Sequence, residues 1–261
     1  MQEPQFLSVG LGVDARDIAY NHDAASTANR VGIFWLSGFM SDMASTKAAA
    51  LADYAQRHDL ECTRFDYSGH GSSDGILTDG TIGRWLEEAR TVFTQITSGP
   101  QVIIGSSMGG HIALLLLKSL HREASEQAKR IKGLILIAPA WDMTEELMWK
   151  KFPEAARRDI LELGFHKRPS AYSEPYTITR NLIEDGRRHL LARKPFDPGC
   201  PVIILQGLLD PDVPATHTRE LVQFLQGSSI ELIEIADGQH RLSRPEDLEK
   251  LYAAVAKIVA L

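Results

Sequence analysis

Cysteine is scarce in this sequence: 261 residues include only Cys62 and Cys200. The two lie far apart, and neither belongs to a C-x-x-C pair or to a ligand spacing typical of zinc sites. We therefore expect two structural thiols in a reducing compartment, although the count is also compatible with a single disulfide.

The sequence also lacks an excess of positive charge and a long apolar run. Its net charge of −6 disfavours nucleic acid as a partner, since such binders need a concentrated basic surface. The longest apolar run, IALLLL at 112–117, is far too short for a membrane span. The opening MQEPQFLSVGLG has neither a basic start nor a long apolar core, so we expect no targeting peptide and a cytoplasmic location.

Short β-branched runs alternate with segments of helical period. The runs, which are continuous as in strands buried on both faces, lie at 31–36, 62–67, 101–106, 133–138, 202–207 and 230–236. The helical segments lie at 44–58, 81–97, 108–121, 214–226 and 243–259. This alternation predicts an α/β fold with a mostly parallel, doubly wound sheet. The N-terminal segments QFLSV and RDIAY predict an antiparallel hairpin at one edge.

One interval interrupts the alternation. The segment between the runs ending at Ala138 and starting at Val202 is too long for an ordinary connection. It contains predicted helices over 145–163 and 179–192, with a Pro- and Tyr-rich stretch between them. We interpret 140–195 as a lid insertion whose last helix is also the crossover helix, and 1–139 with 196–261 as the core domain.

The sequence GSSMG at 105–109 matches the pattern G-x-S-x-G, with Ser107 at its centre. In this pattern the serine occupies a strained strand-to-helix turn, so side chains two residues before and after it would collide. A β-run directly precedes the motif and an apolar helix directly follows it. The context therefore favours Ser107, rather than Ser106, as a nucleophile whose oxyanion the helix N-terminus can stabilise.

A serine nucleophile needs a base and an acid, which in this fold follow it in the order acid, then histidine. Asp210 comes directly after a late strand and His240 after the last one, where ligands of open α/β sheets bind. Asp212 competes as the acid, although it can instead cap the next helix. Among the other histidines, His70 and His111 also lie near the predicted pocket, but neither fits the position of the base.

An oxyanion needs two hydrogen-bond donors. The first is predicted to be the backbone N–H of Met108, the residue after the nucleophile. The second is predicted to be the N–H of Phe39, because the chain leaves an early strand at Ser37-Gly38 and glycine lets the backbone turn there.

The chain resembles a serine α/β-hydrolase, and within that family the mitochondrial palmitoyl-protein thioesterases that are also mycophenolic-acid acyl-glucuronide esterases. The stretches that carry the likeness are 63–75, 99–110, 171–191 and 200–218. The resemblance implies a nucleophile at Ser107, an acid at Asp210, a base at His240 and oxyanion donors at Phe39 and Met108. The sequence departs from the general pattern at Ser37, where many hydrolases have histidine, and we expect it to have no transit peptide.

The implied reaction is hydrolysis of a carboxylic ester or thioester through an acyl-enzyme, with no metal and no organic cofactor. The expected partner is a small ester or thioester, or an acylated protein. Met40, His111, Trp141 and Trp149 are candidate substrate contacts in an apolar acyl pocket. A serine peptidase, a cofactor-free perhydrolase and a non-catalytic ligand-binding homologue are the alternatives on the same fold.

Overall fold

The structure is a computed structural model that describes residues 3–27, 30–168, 176–227 and 229–261. Residues 169–175 lie outside the described residues, and they include the start of the segment 171–191 that carries part of the family resemblance. Among those described, no helix combines the length and the apolar character that a bilayer crossing requires.

A mostly parallel sheet of eight strands organises the chain, with the order β1-β2-β4-β3-β5-β6-β9-β10. The strands are β1 Gln5–Val9, β2 Arg16–Asp23, β3 Gly32–Leu36, β4 Glu61–Phe65, β5 Gln101–Ser106, β6 Ile131–Ile137, β9 Val202–Gly207 and β10 Ile230–Ile235. The six predicted central strands are all present, with boundaries shifted by at most two residues. The predicted N-terminal hairpin is also present, as the antiparallel pair β1 and β2 at one edge.

Helices cover both faces of this sheet, as continuous apolar strands require. They are α1 Thr46–Arg57, α2 Ile82–Ile96, α3 Met108–Glu123, α4 Ser125–Ala128, α5 Glu154–Glu162, α6 Arg180–Arg188, α7 Ala215–Phe224 and α8 Pro245–Val259. Leu51 of α1 and Leu251 of α8 belong to one buried cluster. Phe93 of α2 and Leu114 of α3 belong to a second one. Two cores separated by one sheet are the doubly wound arrangement that the sequence predicts.

The segment between β6 and β9 differs from its prediction. The single helix expected over 145–163 is wrong, because Pro153 lies within it and cannot continue a helix. The chain instead forms a π-helical turn at Thr144–Met148, a 3-10 turn at Trp149–Lys151 and then α5. An unpredicted antiparallel hairpin of β7 Phe165–Arg168 and β8 Tyr176–Thr179 follows, before α6.

Candidate active site

Ser107 forms the corner between β5 and α3. Its backbone has φ 55° and ψ −117°, a strained conformation for a residue other than glycine. A Cβ placed on Gly105 would lie 2.3 Å from the Gly109 carbonyl oxygen, and one placed on Gly109 would lie 2.0 Å from that of Leu36. Both distances are far below van der Waals contact, so the corner requires glycine on both sides of the serine, as the sequence pattern predicts.

His240 links Ser107 to Asp210, although the serine and the histidine are 133 positions apart. Its Nε2 lies 3.1 Å from the Ser107 Oγ, and its Nδ1 lies 2.7 Å from the Asp210 Oδ2. A carboxylate only accepts hydrogen bonds, so we assign the ring proton to Nδ1. Nε2 is then an acceptor aimed at the serine hydroxyl. The structure therefore brings the predicted nucleophile, base and acid into one hydrogen-bonded chain.

The carboxylate of Asp210 is fixed from two sides. Its second oxygen, Oδ1, accepts the backbone N–H of Asp212 at 2.8 Å and that of Val213 at 2.9 Å, and the side chain is fully buried. Asp212, the competing acid, contributes its backbone here and makes no hydrogen bond to His240. Oxygen and nitrogen atoms of Asp210, Asp212 and His240 lie within 4.8 Å of one another, a spacing that a cation could also use. Both Asp210 oxygens already accept hydrogen bonds, which favours a role in orienting His240 over a role as a cation ligand.

The loop after β3 lies directly beside the serine. A Cβ placed on Gly38 would lie only 3.4 Å from the Ser107 Cβ. Among the residues that the structure describes, the N–H groups of Phe39 and Met108 have no acceptor. Two unsatisfied donors close to a nucleophile are what an oxyanion needs, and the predicted pair is available for that role.

Two side chains from the loop after β4 hold this loop in place. The Nε2 of His70 accepts the Met40 N–H at 3.0 Å, and the Oδ1 of Asp66 accepts the Met43 N–H at 2.6 Å. Burial lowers the pKa of His70 and raises that of Asp66. His70 is thus bound to backbone rather than to the serine, and it is not placed to act as the base.

Ser107 and His240 open into a cavity of about 640 Å³. One wall is apolar and is formed by Phe39, Ala140, Met143, Leu147, Met148 and Tyr176. The basic residues Lys47, Arg168 and Arg241 also line the cavity, and the Arg168 guanidinium lies over the Tyr176 ring, 5.8 Å from its centre. A cavity with an apolar wall and a few polar groups next to a nucleophile is typical of a substrate site.

Sequence reasoning missed the three basic residues of this cavity, because surface lysines and arginines have no pattern that marks them as pocket residues. Lys47 has a structural connection as well: its Nζ donates a hydrogen bond to the Arg241 carbonyl oxygen, next to His240. Burial lowers the pKa of Lys47 to about 8. Helix α1 is thereby tied to the loop that carries the proposed base.

The candidate substrate contacts require a correction. Met40 lines the cavity, but His111, Trp141 and Trp149 do not. His111 is buried on α3, where its Nδ1 accepts the Asp142 N–H at 3.2 Å.

The two tryptophans are engaged elsewhere. Trp141 is fully buried, stacks on His217 and donates its indole N–H to the His217 carbonyl oxygen at 2.8 Å. Trp149 lies between the guanidinium groups of Arg157 and Arg187, at 5.6 and 4.7 Å from its ring centre. These two aromatic residues therefore stabilise the segment after β6 instead of lining the cavity.

Comparison with known proteins agrees with this fold. Residues 29–184 match the family Hydrolase_4, described as serine aminopeptidase, S33. The human mitochondrial palmitoyl-protein thioesterase ABHD10 is 28% identical over 230 residues, which cover 87% of this chain and 72% of that protein. A crystal structure from Agrobacterium vitis S4 superimposes with a TM-score of 0.95 at 41% identity, over 98% of both chains. The mouse α/β hydrolase domain-containing protein 10 superimposes with a TM-score of 0.84 at 26% identity, over 99% of both chains.

Proposed function

Because this chain belongs to the Hydrolase_4 (serine aminopeptidase, S33) family of α/β-hydrolases, we propose that it cleaves carboxylic esters or thioesters through an acyl-enzyme on Ser107. The observation that carries the proposal is the hydrogen-bonded chain from Ser107 through His240 to Asp210. Similarity to palmitoyl-protein thioesterases supports an ester or thioester as the bond that is broken.

In the first step, the Ser107 Oγ attacks the carbonyl carbon while the His240 Nε2 takes the hydroxyl proton. The carbonyl π electrons move onto oxygen, and the N–H groups of Phe39 and Met108 stabilise the resulting oxyanion. When the oxyanion collapses, the bond to the leaving alcohol or thiol breaks and His240 returns the proton to it. Asp210 holds the imidazole in the required tautomer and stabilises the imidazolium.

In the second step, water replaces the leaving group. His240 takes a proton from the water as its oxygen attacks the acyl carbon, and the second oxyanion occupies the same two donors. Collapse breaks the bond between the acyl carbon and the Ser107 Oγ, which recovers its proton from His240. The products are a carboxylic acid and free enzyme, and the two steps require only the enzyme, the substrate and water.

The apolar wall of the cavity supports a medium or long acyl group. Met143, Leu147 and Met148 offer flexible apolar side chains that adapt to an alkyl chain. The volume of about 640 Å³ is typical of sites that enclose a small organic ligand. We place the acyl group against this wall and the leaving group toward Lys47 and Arg241, which lie together beside His240.

Turnover of p-nitrophenyl esters of increasing chain length, and of acyl thioesters, tests the proposal. We expect the wild-type protein to turn over and Ser107→Ala to lose activity by several orders of magnitude. Ser106→Ala, one position away, is the matched control and is expected to stay within about tenfold of wild type. Equal rates for wild type and Ser107→Ala would contradict the mechanism.

A peptidase is the second candidate, since the family description names a serine aminopeptidase. Aminoacyl p-nitroanilides therefore belong in the same assay. Faster Ser107-dependent cleavage of the anilides than of the esters would assign the peptidase reaction and overturn the ester specificity.

A further inference from the structure

His70 makes two hydrogen bonds to backbone groups of two different loops. Its Nε2 lies 3.0 Å from the Met40 nitrogen, and its Nδ1 lies 3.1 Å from the Ser68 carbonyl oxygen. A carbonyl oxygen can only accept and a backbone N–H can only donate. Only the neutral imidazole with its proton on Nδ1 satisfies both partners.

The surroundings of His70 maintain this neutral form. The ring is 5% exposed and is surrounded by Phe39, Tyr67 and Trp85, with ring centres 5.5 to 6.2 Å away. Burial lowers its pKa, while the carboxylate of Asp42 acts in the opposite direction. The Tyr67 ring centre lies 6.0 Å from that of His70, and burial raises the pKa of this phenol well above its usual value.

The loop held by His70 is strained. Met40 has φ 58°, in the left-handed region that residues with a side chain rarely adopt. Such a conformation persists only where surrounding contacts fix it. The contacts here include the hydrogen bond from the Met40 N–H to His70 and, three residues later, that from the Met43 N–H to Asp66.

Met40 directly follows Phe39, whose N–H is one of the two proposed oxyanion donors. We propose that His70 is a positioning residue of the oxyanion hole: its neutral imidazole fixes the Phe39–Met40 peptide and, through Phe39, the preceding Gly38–Phe39 peptide, so that the Phe39 N–H points at the developing oxyanion. This inference rests on the proposed serine-hydrolase function. It assigns His70 no proton transfer with the substrate.

The chemistry makes the effect specific to the transition state. A ground-state carbonyl needs little from the oxyanion donors, whereas the tetrahedral intermediate depends on them. Loss of the hydrogen bond from the Met40 N–H to His70 is therefore expected to lower kcat more than it changes KM. A displacement of the donor of about 1 Å costs up to about a hundredfold in rate.

The experiment compares His70→Leu, which has no acceptor for the Met40 N–H, with His70→Gln, whose amide oxygen can accept it. We expect kcat of His70→Leu to fall by about tenfold to a hundredfold with KM within about threefold, and His70→Gln to recover most of the loss. A trifluoromethyl ketone adds to the serine as a hemiketal oxyanion, so its affinity is expected to weaken by the same factor as kcat/KM.

His217→Leu is the matched control, because His217 is also buried, stacks on an aromatic ring and bonds to a backbone group, but lies away from the cavity. It is expected to leave kcat and the ketone affinity near wild type. Wild-type kcat and ketone affinity in His70→Leu would overturn the positioning role alone, as would equal losses in His70→Leu and His70→Gln. Absence of Ser107-dependent turnover in the wild type would instead contradict the proposed function itself.

Discussion

The His240 Nδ1 lies 2.7 Å from the Asp210 Oδ2, across the two loops that follow the last two strands of the sheet. The other Asp210 oxygen is already held by two backbone N–H groups, so the carboxylate cannot rotate without losing them. The imidazole is thereby fixed in the tautomer that presents an acceptor to Ser107. The contact between His240 and Asp210 therefore identifies Asp210 as the acid of the proposed triad.

Asp210→Asn replaces an acceptor oxygen with an amide and favours the wrong histidine tautomer. We expect kcat for an ester substrate to fall by about three to four orders of magnitude. Asp212→Asn is the matched control in the same loop, and its kcat is expected to remain within about tenfold of wild type, since its carboxylate makes no bond to His240. A larger loss in Asp212→Asn than in Asp210→Asn would reverse the assignment.

Met143→Trp adds bulk to the apolar wall of the cavity. It is expected to reduce kcat/KM for long-chain p-nitrophenyl esters by about tenfold or more while leaving the acetate ester nearly unchanged, because only the long chain needs the space. Trp149→Phe, outside the cavity, should leave the chain-length profile as it is. If Met143→Trp lowers all chain lengths equally, the acyl group does not lie against this wall.

Gly105→Ala introduces a Cβ 2.3 Å from the Gly109 carbonyl oxygen, which is backbone and cannot move aside. We expect the free energy of unfolding to fall by about 3 kcal/mol or more, together with activity. Gly164→Ala is the comparison: it has φ +88° but nothing within 4 Å, so only backbone strain of about 1 kcal/mol is expected. Urea denaturation of both variants measures the difference, and equal stability would contradict the packing at the corner.

Burial of His70, His111 and His217 makes stability depend on pH, and His111 and His217 have the largest of these pKa shifts. Burial lowers the pKa of His111 to about 3 and that of His217 to about 4, so the folded protein keeps both neutral while the unfolded chain protonates them below about pH 6.5. The unfolded state then binds more protons, and stability falls as pH decreases from about 6.5 toward 4. Each imidazole contributes a loss of about 2 kcal/mol between pH 7 and 5.

Urea denaturation at pH 7 and pH 5 measures this loss, and His217→Gln is expected to reduce it by about 2 kcal/mol. His189 acts in the opposite direction near pH 7, because its hydrogen bond to Asp185 raises its pKa and the folded state then binds more protons than the unfolded one; this contribution levels off once the pH lies well below 6.5 and both states are protonated. Equal unfolding free energies at the two pH values would show that the buried imidazoles do not have these shifted pKa values.

Much of the site could be predicted from the sequence because its parts are local. Each of Ser107, Asp210 and His240 follows a strand that its own apolar run identifies, and parallel strands end at one edge of the sheet. Steric demands at the corner likewise leave a visible trace, since Gly105 and Gly109 have no substitute there.

Other features depend on contacts that the sequence does not display. Trp141 and Trp149 have the composition of a pocket wall, but packing against His217 and against Arg157 and Arg187 directs them elsewhere. Each strand of the β7–β8 hairpin has only four residues, too few for the alternation of Tyr176 and Ile178 with threonine to identify a strand from sequence. The role of His70 likewise depends on such contacts, because its hydrogen bond to Met40 becomes visible only once two loops are placed together.

Covalent labelling shows most directly whether Ser107 is an activated nucleophile. An activity-based fluorophosphonate reacts with a serine only where a base and an oxyanion hole activate it. We expect that the intact protein gains one phosphonyl group, that peptide mapping places it on Ser107, and that His240→Gln and Ser107→Ala are not labelled. Failure of the wild type to label, or a label on Ser106 instead, would contradict the assignment of Ser107 as the activated nucleophile.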